Sequence, residues 1–233
     1  MYFKPSFRKK QLIVFDLDGT LTETKSVMDA EMARLFAPLL GRKPVVVIGG
    51  GKYALFKEQL IRRLRAPREL LKNLFLFPTT ATSFYRYRGG WQNVYRHELT
   101  KPERAQIKKA FARVFKDMRY AHPKKTYGTL IEDRGTQVSF SVFGQDIVKV
   151  LGVRGVRIKK DWARKNRALK MEIARRVARY LPKLEVRAAG YTTIDVTRKG
   201  IDKAYGIKQI EKYLHIPRSQ MVFVGDALFK GGN

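Results

Sequence analysis

No cysteine occurs in the 233 residues, which excludes a disulfide framework, a thiolate metal site and a cysteine nucleophile. No apolar run approaches the roughly 20 residues of a membrane-spanning helix. The basic residues between Met1 and Lys10 are not followed by a signal-type apolar core ending in small residues. A soluble, cytoplasmic protein is the expectation. Acids are scarce: 20 Asp and Glu stand against 49 Lys and Arg, a formal charge of +29. Such a surplus attracts anions and can carry nucleic acid non-specifically, although charge alone names no partner. The densest basic run is 154–170, with Arg154, Arg157, Lys159, Lys160, Arg164, Lys165, Arg167 and Lys170. A solvated helix face or a general basic bias is the simpler reading of it. The 44% hydrophobic content suffices for one good core, or a core with a smaller inserted domain.

Against that background one stretch stands out. Leu12-Ile13-Val14-Phe15 is uninterrupted by polar residues and runs into Asp16-Leu17-Asp18-Gly19-Thr20-Leu21-Thr22. A short apolar run closed by Asp and Gly reads as a buried parallel strand opening onto a loop, where α/β sheets bind ligands. Asp16 is placed to attack phosphorus and hold a hard cation, and Asp18 to exchange a proton with the reacting oxygen. The plainer readings of Asp-x-Asp-Gly are a turn or a calcium loop. A calcium loop needs a closing acid about six residues after the glycine, and Lys25 and Ser26 stand there instead.

Apolar periodicity predicts a helix from about Ser26 to Leu40, a buried strand at 45–48 leading into Gly49-Gly50-Gly51, a helix marked by Leu55, Phe56, Leu60 and Leu64, and a strand at 74–77 closed by Pro78. The pattern then changes to alternation. Ser83–Arg88 and Trp91–Arg96 flank Gly89-Gly90 as a hairpin, and Thr100-Lys101-Pro102-Glu103 is a capping box opening a helix to about Met118. Strands at 130–133 and 137–143, a long Arg-rich helix at 161–180, and strands at 184–188 and 192–196 follow. A helix from Lys203, capped by Asp202, and a last apolar strand, Met221–Val224, return to the first pattern. These elements predict an α/β fold: a Rossmann-like parallel-sheet core at 1–85 and 191–233, with an inserted α+β cap at 86–190.

Asp16 with Asp18, the triple glycine and Asp226 follow three strand ends, and Lys203 opens the helix before the last strand. The string Phe15–Thr22, with Ile201–Gly206 and Val224–Asn233, resembles the motifs of the haloacid dehalogenase superfamily. Gly49–Gly51 followed by Lys57-Glu58-Gln59-Leu60, together with Glu132–Ser141, is similar to the type IIB branch, which has a C2b cap and contains the eukaryotic-type phosphomannomutases and related bacterial hydrolases.

The resemblance implies a magnesium-dependent enzyme in which Asp16 becomes phosphorylated, Asp18 is the general acid and base, and Lys203 offsets negative charge. The Asp16 side chain, the Asp18 carbonyl and Asp226 would hold Mg2+. A cap would close over a sugar phosphate, with Arg134 on phosphate and Asp195 on sugar hydroxyls, in a cap-mediated homodimer. Three features depart from the branch. No Ser or Thr occurs from Val27 to Pro78, so backbone N–H groups of Gly50 and Gly51 are the expected phosphate donors. Gln145 stands where phosphomannomutases carry a second phosphate-binding arginine. The sequence stops at Gly232-Asn233, where another motif acid is expected, so a core truncated at its carboxyl end is anticipated. Three readings stay open: a phosphomannomutase-like enzyme using a hexose bisphosphate activator, a sugar-phosphate phosphatase, and a catalytically weak basic protein binding nucleic acid.

Overall fold

The structure, a computed structural model, describes residues 9–23 and 25–226. The carboxyl-terminal part of the expected fourth motif, residues 227–233, lies outside them. Two compact units divide the chain: residues 1–96 with 202–233, and residues 97–201 inserted between those parts.

The first unit begins with β1 (Leu12–Asp16), α1 (Ala30–Leu40), β2 (Val45–Ile48), α2 (Tyr53–Phe56, continued by a wider turn over 57–61), α3 (Arg68–Leu71) and β3 (Leu74–Phe77). The first helix starts later than expected because Asp29, whose carboxylate accepts the Met32 N–H, caps it. A left-handed turn, α4 (Pro78–Ala81), leads to the hairpin β4 (Ser83–Tyr87) and β5 (Trp91–Arg96). In the second unit lie α5 (Lys101–Asp117), β6 (Ile131–Asp133), β7 (Val138–Ser141), α6 (Ile147–Leu151), α7 (Val153–Tyr180), β8 (Leu184–Ala189) and β9 (Thr193–Arg198). The chain returns to the first unit with α8 (Lys203–Leu214) and β10 (Met221–Val224).

The first unit's sheet has the order β10-β1-β2-β3-β4-β5. Its first four strands are parallel, and the hairpin adds two antiparallel ones. Strand β2 shows why it is central. Val45 and Val47 join Leu17, Phe36, Phe56 and Leu76 on one face, while Val46 and Ile48 join Leu12, Val14, Phe77 and Ile210 on the other. Only a strand covered on both faces tolerates four successive apolar residues. The fold is the expected α/β class with a parallel-sheet core.

The inserted unit is a four-stranded antiparallel sheet, β6-β7-β9-β8, carrying α5 and α7. Ile107, Phe111, Ile173 and Val177 from the helices meet Val138, Phe140, Ile194 and Val196 from the sheet. The capping box at Thr100 and Glu103 forms as expected. Helix α7 extends further toward the amino end than the expected 161–180.

The expected boundaries at 86 and 190 shift to 97 and 201. Strand pairing is the reason: β4 pairs with β3, so the hairpin extends the core sheet, and β9 pairs with β7, so it stays in the inserted sheet. Alternation announces a half-buried strand without saying which sheet it joins. Among the described residues no helix is long and apolar enough to cross a membrane.

Candidate active site

Parallel register gathers the first group of residues. Asp16, the last residue of β1, is the partner of Ile48 at the end of β2, and on the other side Phe15 pairs with Val224 of β10. Asp16 is 7% exposed. One carboxylate oxygen accepts the Leu17 N–H at 2.9 Å, and the other accepts Lys203 Nζ at 2.6 Å. Burial pushes the Asp16 carboxyl above its usual range; the charge and hydrogen bond of Lys203 act against that rise.

Lys203 is held by its own helix. It is the first residue of α8, where the Asp202 carboxylate caps the helix by accepting the Tyr205 N–H at 2.6 Å. Its ammonium also lies 5.9 Å from the centre of the Phe223 ring on β10. Gly206, one turn further along the same face, explains how α8 comes so near. A Cβ there would meet Ile48 Cδ1 at 2.7 Å and the Ala81 Cβ at 3.0 Å.

After β1 the chain folds tightly: Leu21 and Thr22 donate to the Leu17 carbonyl and Gly19 donates to Thr22. Asp18 is half-buried, and its carboxylate accepts the Lys25 N–H at 2.6 Å. Gly19 has φ +82°, and a Cβ on it would lie 2.5 Å from an Asp226 carboxylate oxygen. Only glycine permits both that backbone and that approach. Asp226 therefore stands beside the loop carrying Asp18. Among the described residues no three His, Cys, Asp or Glu side chains gather as a metal cluster. The expected magnesium site needs only two carboxylates and a backbone carbonyl, all hard oxygen donors, and the Gly19 cradle places one of those carboxylates at the loop. The donor set fits a magnesium ion.

The triple glycine leaves β2 next to Asp16 and is fixed from β3. Gly49 donates to the Phe77 carbonyl, while Thr79 and Thr80 donate to the carbonyls of Gly51 and Gly49. Thr79, Thr80 and Ala81 have φ of +49°, +55° and +66°. Three successive non-glycine residues in that region, two of them β-branched, are strained. Glycine-rich sequence had pointed to Gly50 and Gly51, but not to this turn.

The inserted unit gathers Arg134, Gln145 and Asp195 into a second group. Arg134 donates to Glu132 at 2.8 Å and to the Gln145 side-chain carbonyl at 3.1 Å. The Gln145 amide in turn donates to the Ser139 carbonyl at 3.1 Å. Ser139 sits directly across from Asp195 in the β7–β9 register, and its hydroxyl donates to that carboxylate. Lys170, from α7, donates to the carbonyls of Gly190 and Tyr191 at 2.7 and 3.4 Å. Burial lowers its pKa, with Arg167 acting in the same direction and Asp195 against it. Sequence reasoning missed Ser139 and Lys170 as members of this group. The signal for Ser139 was its two-residue alternation with Gln137 and Ser141; for Lys170 there was none.

A buried carboxylate paired with a lysine, at the carboxyl end of a parallel sheet interrupted by a second α+β unit, can now be set beside known proteins. The profile of haloacid dehalogenase-like hydrolases matches residues 13–228. The chain belongs to that family. It is an enzyme of the phosphotransferase or phosphatase type. As a family member it is 27% identical over 237 residues to a phosphomannomutase of Nicotiana benthamiana, covering 97% of this chain and 84% of that one. It is 26% identical to a phosphomannomutase of Encephalitozoon cuniculi, covering 97% and 83%. Among solved structures, the IMP-bound, N-terminally truncated IMP-nucleotidase of Plasmodium falciparum has the same fold, with a TM-score of 0.65 at 14% identity. That match covers 96% of this chain, which spans 61% of the nucleotidase chain.

Proposed function

We propose that the chain transfers the phosphoryl group of a hexose phosphate through a phosphorylated Asp16, in a reaction of the phosphomannomutase kind. The observation that carries this reading is the Lys203–Asp16 contact of 2.6 Å at a strand end. It orients one carboxylate oxygen and leaves the charge of the lysine beside any phosphoryl group on the other. The relatives support the substrate class: both phosphomannomutases align along nearly the whole of this chain.

In the first half-reaction an Asp16 oxygen attacks phosphorus, the bond from phosphorus to the sugar oxygen breaks, and Asp18 gives its proton to that oxygen. In the second, Asp18 takes a proton from the incoming hydroxyl, whose oxygen attacks phosphorus as the Asp16–phosphorus bond breaks. Lys203 offsets the negative charge in both, and the N–H groups of Gly50 and Gly51 serve as phosphate donors. Asp16, the Asp18 carbonyl and Asp226 would hold Mg2+, which when bound neutralises charge on the phosphoryl oxygens. Arg134 and Asp195 are the proposed substrate contacts of the inserted unit, with Gln145 beside them.

Gln145 favours a second reading, hydrolysis of a sugar phosphate. Both ends of its amide are engaged inside the unit, and it brings no charge to hold the far phosphate of a bisphosphate. One assay separates the readings: free phosphate and mannose-1-phosphate to mannose-6-phosphate conversion, measured together with magnesium, with and without a hexose bisphosphate. Isomerisation that depends on the bisphosphate and disappears in Asp16→Asn is the expected result. Phosphate release without isomerisation establishes the hydrolase, and turnover surviving in Asp16→Asn refutes the nucleophile.

A further inference from the structure

Helix α7 carries eleven Lys and Arg and only two acids, Asp161 and Glu172. Its apolar face is already used, because Ile173, Ala174 and Val177 are buried in the core of the inserted unit. Opposite, Arg154, Arg157, Arg164, Arg175 and Arg179 are exposed, at steps of three, seven, eleven and four residues. The steps of three, seven and four each return to the same side of a helix; between Arg164 and Arg175 the backbone leaves helical geometry at Asn166, with φ -124° and ψ 24°, so the row is kinked there. At about 1.5 Å per residue the row runs about 15 Å before the kink, from Arg154 to Arg164, and about 6 Å after it, from Arg175 to Arg179. Two of its members are matched by acids: Arg164 lies 3.6 Å from Asp161, and Arg175 lies 2.6 Å from Glu172. Arg154, Arg157 and Arg179 have no acidic partner among the described residues, and exposed Lys165 and Arg167 flank the row in the same state.

We infer that this face of α7 is a sequence-independent binding surface for the phosphodiester backbone of a nucleic-acid duplex. Two segments of guanidinium groups on one helix, set at an angle by the kink, can reach successive phosphates of a backbone that itself curves, each guanidinium able to make two parallel hydrogen bonds. The formal charge of +29 over the whole chain supplies the long-range attraction. A membrane surface is the poorer match: an interfacial helix inserts an apolar face, and the apolar face of α7 is buried. The exposed apolar residues near the row, Val150 and Val153 at its amino end and Met171 and Tyr180 in its carboxyl half, are separated along the chain and form no continuous stripe.

The test uses the full chain and fluorescently labelled duplexes of about 20 base pairs, one RNA and one DNA, titrated over a range of salt. One variant carries Arg154→Glu, Arg157→Glu, Arg164→Glu and Arg179→Glu. A control with the same net charge carries Arg62→Glu, Arg63→Glu, Arg65→Glu and Lys72→Glu, all exposed and in the other unit. The wild type should bind at least one duplex, with affinity falling steeply in salt. The α7 variant should lose more than about tenfold, with a log-log salt slope shallower by about three to four, since each phosphate contact contributes about 0.9. The control should lose less than about threefold. Replacement of the same four α7 arginines by Gln keeps the test open if the Glu variant does not fold. The inference is overturned if the wild type binds neither duplex, if the α7 variant binds as the wild type does, or if the control loses as much. Binding to phosphatidylserine vesicles without binding to either duplex also overturns it.

Discussion

The two units hold their polar groups by different means. In the core, Asp16 is fixed by a parallel register with Ile48, and the groups around it approach through missing side chains: Gly19 beside Asp226, Gly206 against Ile48 and Ala81. One ion pair, Lys203 with Asp16, is the product of that close packing. In the inserted unit side chains carry more of the placement, although Gly144, beside Gln145, also marks a close approach, since a Cβ there would meet the Tyr127 carbonyl. Arg134, Gln145, Ser139 and Asp195 form a chain of side-chain and carbonyl hydrogen bonds along an antiparallel sheet. The core thus places the Asp16 carboxylate by backbone geometry, which suits the bond-making role proposed for it. The inserted unit holds its polar groups in a largely buried hydrogen-bonded network, whose proposed task is recognition.

That division predicts different kinetic signatures. The largest effect is expected for Lys203→Met, which keeps the length of the side chain and removes its charge. Turnover should fall by about 100- to 1,000-fold with little change in KM, because the lost interaction is strongest where phosphoryl charge develops. Steady-state kinetics check this, and a rise in KM with kcat unchanged would place Lys203 in binding. Next is Arg134→Met: KM for the sugar phosphate should rise by about 10- to 100-fold with turnover nearly preserved, the loss of one charged hydrogen-bonding group. An equal fall in kcat would erase the contrast between the units.

The smallest effect, and the sharpest test of placement by backbone approach, is Gly206→Ala. In an open helix this change adds stability of about 1 kcal/mol. Here the added methyl meets Ile48 and Ala81, so kcat should drop by about five- to tenfold as α8 is displaced and Lys203 with it. The double variant Gly206→Ala with Ile48→Val, which removes the clashing Cδ1, should recover most of that loss. Gly206→Ala with raised thermal stability and unchanged kcat would show that the glycine does not set the depth of the helix.

Much of the core could be read along the chain. Its chemistry lies in short contiguous strings at strand ends, and four-residue apolar runs such as Val45–Ile48 have few alternatives to a buried strand. The inserted unit was less legible. The strands at 91–96 and 193–198 alternate alike, yet one pairs in the core sheet and the other in the inserted sheet, and alternation carries no record of the partner. Ser139 escaped notice as a functional neighbour for the same reason: it lies 56 residues from the carboxylate it donates to. The left-handed turn at Thr79 and Thr80 was hidden because β-branched residues give no local signal for a backbone they disfavour.

The sequence by itself determined the fold class, the pair of acids at the end of the first strand, and the lysine that opens the helix before the last one. Those depend on local apolar patterning, capping and motif spacing, all of which act between near neighbours in the chain. Only the tertiary structure decided that Lys203 meets Asp16, that glycine at 19 and 206 is required by close approach, that the unit boundaries fall at 97 and 201, and that Arg134, Gln145 and Asp195 share one hydrogen-bonded network. Each of those facts joins segments far apart in sequence, and strand register and helix packing, rather than local preference, bring such segments together.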